Sequence, residues 1–169
     1  MAERFSLTNV KPVTTPIDPG AQYSIDQCPA TPNQVSRIHG VLYSEGIGSV
    51  LWLAVVSRPD VAFAVGILSQ FVQNLGPTHW EVLKWLIVYL NSTKELWLTF
   101  GGQGKAPVEG YCNADWASQK HCHSISGYLF QYRYSKVTWS SKKQSIIVLS
   151  STEAKYIAQT HAVKEALWL

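Results

Sequence analysis

Three stretches in the middle of the chain carry apolar residues at helical spacing. From Tyr43 to Val56 they fall at Ile47, Val50, Leu51, Ala54 and Val55, along one side of an α-helix. Pro59 opens a second helix at a first-turn position that needs no amide hydrogen. That helix runs to about Asn74 through Val61, Val65, Leu68 and Phe71 or Val72, and Gly76-Pro77 stops it. A third begins near Thr78 and gathers Trp80, Leu83, Leu86, Ile87 and Leu90 on one face. Short turns between the three predict a compact bundle over residues 40–100.

After the glycine-rich turn Gly101-Gly102-Gln103-Gly104 the period changes. Val108 to Cys112 alternates and carries β-favouring residues, so strands are expected near Pro107 to Asn113, Ser126 to Tyr132 and Val137 to Ser141, forming an antiparallel meander. Ser150 to Leu169 then reads as a helix packed across one face of that sheet. Ser150 can cap it, with Glu153 three positions later reaching back in a capping box. The expected class is α+β, with an extended segment over 1–39, helices over 40–100 and the meander with its helix over 101–169. Pro12, Pro16, Pro19, Pro29 and Pro32 block regular ladders, so the first segment should be extended and partly mobile.

Composition narrows the classes. With 46% of its 169 residues apolar, the chain can bury a core as one ordinary domain or two small ones. A net charge of +3 permits a nucleic-acid partner without marking the strongly basic face of a dedicated binder. Three cysteines without a C-x-x-C pair read as reduced thiols, and the first residues lack a secretory pattern, so an intracellular setting, cytoplasmic or nuclear, is expected. No membrane partner is expected either. The apolar run from Ile47 to Phe71 is broken by Ser57-Arg58-Pro59-Asp60, leaving neither half with the roughly 18 to 20 apolar residues of a spanning helix.

The side chains that could carry chemistry are few. Asn113 and Asp115 stand together where the first strand ends. Glu153 stands in the first turn of the last helix, as a cap or as a ligand. His79-Trp80 could stack on a base or belong to the core. Arg58 and Asp60 flank a proline in a helix start, where Asp60 suits the positive end of the helix. Cys112, His121, Cys122 and His123 do not match the spacing of a zinc site. Lys142 and Lys143 could meet nucleic-acid phosphates or form a solvated strand end.

Four motifs in order carry a resemblance. Gly110-Tyr111-Cys112-Asn113-Ala114-Asp115-Trp116-Ala117, Ser124-Ile125-Ser126-Gly127-Tyr128, Trp139-Ser140-Ser141-Lys142-Lys143-Gln144 and Ser150-Ser151-Thr152-Glu153-Ala154-Lys155-Tyr156 resemble the start of the ribonuclease H domain of copia-type retrotransposon polyproteins. Upstream, Lys11-Pro12-Val13-Thr14-Thr15-Pro16, Ser57-Arg58-Pro59-Asp60-Val61-Ala62-Phe63-Ala64-Val65 and Pro77-Thr78-His79-Trp80 are similar to the end of the reverse transcriptase of those polyproteins, its thumb or connection region. The family pattern has basic residues along the third helix where this chain has Trp85, Val88 and Asn91, which weakens template contact.

The resemblance implies a fold, a cofactor and a reaction. It implies a truncated ribonuclease H-like domain, a three-stranded meander plus one helix, acting on an RNA–DNA hybrid with magnesium. The family's metal ligands are the Asp that aligns with Asn113 and the Glu that aligns with Glu153, with a further Asp supplied later. Two magnesium ions about 3.5 to 4 Å apart need carboxylates around them. The neutral amide of Asn113 is a poor replacement. Asp115, about 6.6 Å along the strand, is at best a weak substitute. The expectation is therefore a catalytically incomplete remnant that does not hold magnesium tightly, with an unpaired first strand inviting self-association. A co-opted binding module, or an excerpt of a longer active polyprotein, are the competing readings.

Overall fold

The computed structural model describes the 169 residues apart from 9, 19, 22, 30, 32, 34, 36, 37, 39, 102–106 and 119–121. It divides into two compact units, Met1–Leu96 and Trp97–Leu169.

In the first unit, α1 spans Tyr43–Val56, α2 spans Ala62–Leu68 and α3 spans Pro77–Ser92. The second predicted helix is α-helical only in its middle. A 3-10 turn, Pro59–Val61, leads into it and another, Ser69–Phe71, leads out. Ser69 Oγ donates to the Gly66 carbonyl at 2.9 Å and so competes with the regular helical ladder at that point.

Ile47, Val50 and Ala54 of α1, Ala64, Val65 and Leu68 of α2, and Leu83, Leu86 and Ile87 of α3 are buried together with Val61 and Phe71. Each large aliphatic side chain among them contributes about 1.5–3 kcal/mol relative to exposure. Two positions expected on the buried side of α1, Leu51 and Val55, are 44% and 69% exposed. The run from Leu51 to Val56 is apolar all round, so spacing does not choose a face. Gly46 chooses it. A Cβ there would lie 2.9 Å from Leu83 Cδ2, so α1 meets α3 at this glycine, and Tyr43, Ile47, Val50 and Ala54 follow on the same side.

Polar groups tie the ends of these helices. The Tyr43 hydroxyl donates to the Leu68 carbonyl at 2.8 Å. Arg58, 8% exposed, is more than a helix-start residue: its Nε and Nη2 donate to the two carboxylate oxygens of Asp60 at 2.9 and 2.7 Å. It also donates to the Thr93 carbonyl and Oγ1 at 3.2 and 2.6 Å, while the Tyr89 hydroxyl donates to Asp60 at 2.9 Å. His79 is fully buried, stacked on Phe71 with ring centroids 3.8 Å apart, and its Nδ1 accepts the Gly76 amide at 3.0 Å. It belongs to the core. Trp80 is half-buried beside Phe5.

The segment expected to be extended and partly mobile is held to α3 at Val13 and Thr15. Trp85 Nε1 donates to the Thr15 carbonyl at 2.7 Å and Ser92 Oγ to the Val13 carbonyl at 3.1 Å. Ile17 and Tyr23 are buried. Proline prevents regular ladders but leaves carbonyls that side chains can tie down.

The second unit is a meander under one helix. Strands β1 (Val108–Asp115), β2 (His123–Tyr132) and β3 (Ser135–Ile147) pair antiparallel in that order, and α4 spans Ser151–Ala166. β2 and β3 are longer than the alternation predicts. At the start of β2, Ser124 and Ile125 are buried, with Ser124 Oγ accepting the Ala117 amide at 3.1 Å. At the far end of β3, Gln144 is buried and hydrogen-bonded, so a polar run reads as surface in the sequence while its residue lies inside. Arg133 and Tyr134, both left-handed at φ 48° and 65°, make the two-residue turn between β2 and β3. Most of the predicted glycine-rich turn lies outside the described residues.

Candidate polar site between the sheet and its helix

Register assigns the faces of the sheet. Gly110 pairs with Phe130, Cys112 with Tyr128 and Ala114 with Ser126, so these six share one face. Phe130 in turn pairs with Thr138, whose Oγ1 donates to Glu165 of α4 at 2.7 Å. That face is the one α4 covers. Asn113, opposite Gly127, and Asp115, opposite Ile125, are on the other face, turned away from α4. Both are exposed.

α4 meets the sheet through Ala154, Ala158 and Ala162, small residues that let it lie close over β1 and β2. Glu153 is next to the first of these and exposed. Its backbone N–H donates to Ser150 Oγ at 3.2 Å, and its Oε2 accepts the backbone N–H of Leu149 at 2.9 Å. The reach-back expected of a capping box is present but lands one residue early, on Leu149 rather than Ser150.

The two lysines part company. Lys143 pairs with Ile125, in the same cross-strand row as Asp115 and on that face. Lys142 pairs with Ser126 on the α4 face. There, the layer is polar where an apolar core would be usual. Gln144 Nε2 donates to Ser126 Oγ at 2.8 Å and to the Ala154 carbonyl at 2.9 Å. The Tyr128 hydroxyl has its pKa raised by burial and by the charge of Glu165. Beside this layer Ser126, Tyr128, Ser140, Lys142, His161 and Lys164 line a hollow of about 250 Å³.

Sequence reading missed His161, Lys164 and Gln144. The available signal was the pairing of His161 with Lys164 at i, i+3 on a helix and of Ser140 with Lys142 at i, i+2 on a strand. Among the described residues no three His, Cys, Asp or Glu side chains come together as a metal site. Cys28, Cys112 and Cys122 are free thiols, and His121 of the cysteine-histidine cluster lies outside the described residues. No described helix is long and apolar enough to cross a membrane.

Known proteins similar to the chain come largely from mobile elements. It is 41% identical over 168 residues to the retrovirus-related Pol polyprotein from transposon TNT 1-94 of Nicotiana tabacum, covering 99% of this chain and 13% of that protein. It is 32% identical over 167 residues to the Pol polyprotein from transposon RE1 of Arabidopsis thaliana, of which it covers 11%. It is also 47% identical over 130 residues to secreted RxLR effector protein 161 of Plasmopara viticola, across 76% of this chain and 92% of that protein. No protein-family model and no solved structure matches it significantly. The chain thus spans a small part of the polyproteins it matches and nearly all of the effector. Over nearly its whole length the chain is homologous to a segment of copia-type retrotransposon Pol polyproteins.

Proposed function

We propose that the chain corresponds to the end of the reverse transcriptase and the opening of the ribonuclease H domain of a copia-type polyprotein, and that by itself it does not cleave RNA–DNA hybrids. The observation that carries this reading is Asn113. It stands where the resemblance implies a metal-binding Asp, and magnesium requires charged, hard oxygen ligands to offset its dehydration.

The residues present do not fit a two-ion site. Asn113 is neutral, Asp115 shares its face of the sheet and not that of α4, and the Glu153 carboxylate is engaged by the Leu149 amide. RNA–DNA hybrid is the partner the family implies, with Lys142 and Lys143 as backbone contacts on opposite faces, in a cytoplasmic or nuclear setting.

The test is cleavage of an end-labelled RNA–DNA hybrid by the purified chain with magnesium or manganese, beside the Glu153→Gln variant. The expected result is no product from either. Metal-dependent cleavage abolished by Glu153→Gln would overturn the reading, as would stoichiometric manganese binding in calorimetry that Glu153→Gln removes.

A second reading, a co-opted interaction module, draws support from the effector relative, nearly all of whose length this segment spans. A third, an excerpt of an enzyme active when complete, draws support from the 13% share of the tobacco polyprotein. Hybrid cleavage by the complete polyprotein but not by the segment would favour the third.

A further inference from the structure

The hollow beside α4 differs from the rest of the surface in what lines it. Two cross-strand pairs, Ser126 with Lys142 and Tyr128 with Ser140, form a four-residue patch of three hydroxyls and one ammonium on the sheet. Above them α4 contributes His161 and Lys164, one turn apart. α4 lies chiefly over β1 and β2, so this part of the β3 surface is left uncovered.

The lining selects by charge. Among the described residues neither Lys142 nor Lys164 has a carboxylate within ion-pair distance. The nearby carboxylate, Glu165, accepts Thr138 Oγ1 at 2.7 Å and is also hydrogen-bonded to the Tyr128 hydroxyl, so its charge is held by these two donors at the rim. Ser126 Oγ accepts the Gln144 side-chain amide, which leaves its own hydrogen to donate. Two ammonium groups, an imidazole and the Ser126 hydroxyl donor exclude a cation. The polar walls exclude an apolar ligand, and the space, below the ~300 Å³ at which drug-sized pockets begin, excludes a large one. A small oxyanion meets every requirement, and charge-assisted hydrogen bonds to it are the strong kind.

We propose that this hollow binds a phosphate group, with Lys142 and Lys164 as the charged clamp and Ser126 and His161 as hydrogen-bonding partners. It extends to Lys164 and His161 the phosphate contact assigned above to Lys142. It does not need the nuclease reading, because free phosphate is itself a probe.

The experiment is a titration of the full chain with inorganic phosphate at constant ionic strength, followed by the His161 ring and backbone NMR signals. Sodium chloride and acetate serve as controls. A parallel titration uses a short RNA–DNA hybrid. A saturable shift with phosphate, the hybrid or both, weakened at least tenfold in Lys142→Gln/Lys164→Gln and regained in Lys142→Arg/Lys164→Arg, is the expected result. The probe that saturates identifies the source of the phosphate. Both lysines are exposed, so the variants should fold, and far-ultraviolet circular dichroism checks that they do. Absence of a saturable shift with either probe, or an affinity unchanged in Lys142→Gln/Lys164→Gln, would overturn the proposal.

Discussion

The Glu153 carboxylate accepts the Leu149 backbone amide at 2.9 Å, closing the chain over the start of α4. Together with the Ser150 cap, it satisfies amides that a helix start otherwise leaves open. Glu153→Ala should therefore lower the stability of the second unit by about 1 kcal/mol, the usual worth of a cap. Glu153→Gln keeps an acceptor oxygen and should cost less. Calorimetric melting of both variants checks this, and equal melting temperatures for wild type and Glu153→Ala would show that the contact adds nothing.

Two glycines on the meander should respond oppositely to the same change. A Cβ at Gly110 would lie 2.3 Å from Phe130 Cε1, and Phe130 is buried at 6% exposure. A Cβ at Gly127 would meet nothing closer than the Ser140 carbonyl oxygen at 3.7 Å. Gly110→Ala should destabilise by about 1–3 kcal/mol through overpacking. Gly127→Ala should be neutral or stabilising, since the strand loses less chain entropy. Urea unfolding of the pair decides it. A smaller loss at Gly110 than at Gly127 would mean that Phe130 moves freely aside.

These glycines also mark where the sequence was legible. The apolar periods of α1 and α3 and the alternation of β1 located the elements, because burial against a partner imposes those periods. The motif from Gly110 to Ala117 and that from Ser150 to Tyr156 placed Asn113 and Glu153 at the end of a strand and the start of a helix. The pairing across elements was not legible. Nothing in the spacing tells which face of β1 α4 will cover, and only the register puts Asn113 on the face opposite α4. Gln144 was missed for a related reason. A lone amide inside looks like surface until its partners, Ser126 and the Ala154 carbonyl, are known.

In the helical unit the Arg58–Asp60 pair sets an acid limit. Burial alone would raise the pKa of Asp60, but hydrogen bonds from Arg58 and Tyr89 and the charge of Arg58 outweigh it and hold the carboxyl below its usual range. A carboxyl depressed in the folded state adds stability above its unfolded pKa of about 3.9 and loses it as pH falls through the folded value. Stability of the α1–α3 unit should therefore be flat near neutrality and fall on acidification below about pH 4. Asp60→Asn should flatten that limb while lowering stability at pH 7. Arg58→Ala should cost more, about 1–2 kcal/mol, because it removes donors to Thr93 as well as to the partly solvated Asp60 carboxylate. Hydrogen exchange of the α3 amides against pH separates these outcomes, and an unchanged acid limb in Asp60→Asn would assign it to other carboxylates.

The outer edge of β1 sets an expectation for association. Among the described residues β1 pairs only with β2, and from Val108 to Asp115 it carries neither lysine nor proline. β3, the opposite edge, carries Lys136, Lys142 and Lys143. Lysines of this kind blunt an edge, and a regular strand without them offers open amides and carbonyls to another chain. Tyr111, 57% exposed, is at its centre. Two copies of β1 paired antiparallel about that centre bring their residues 111 beside the twofold axis. Lysine there would place like charges together, which opposes pairing. The wild-type chain should show a sedimentation coefficient that rises with concentration, and Tyr111→Lys should abolish most of the rise without lowering the melting temperature. A wild type that sediments as a single monomer at all concentrations would show that this edge is protected by something other than charge.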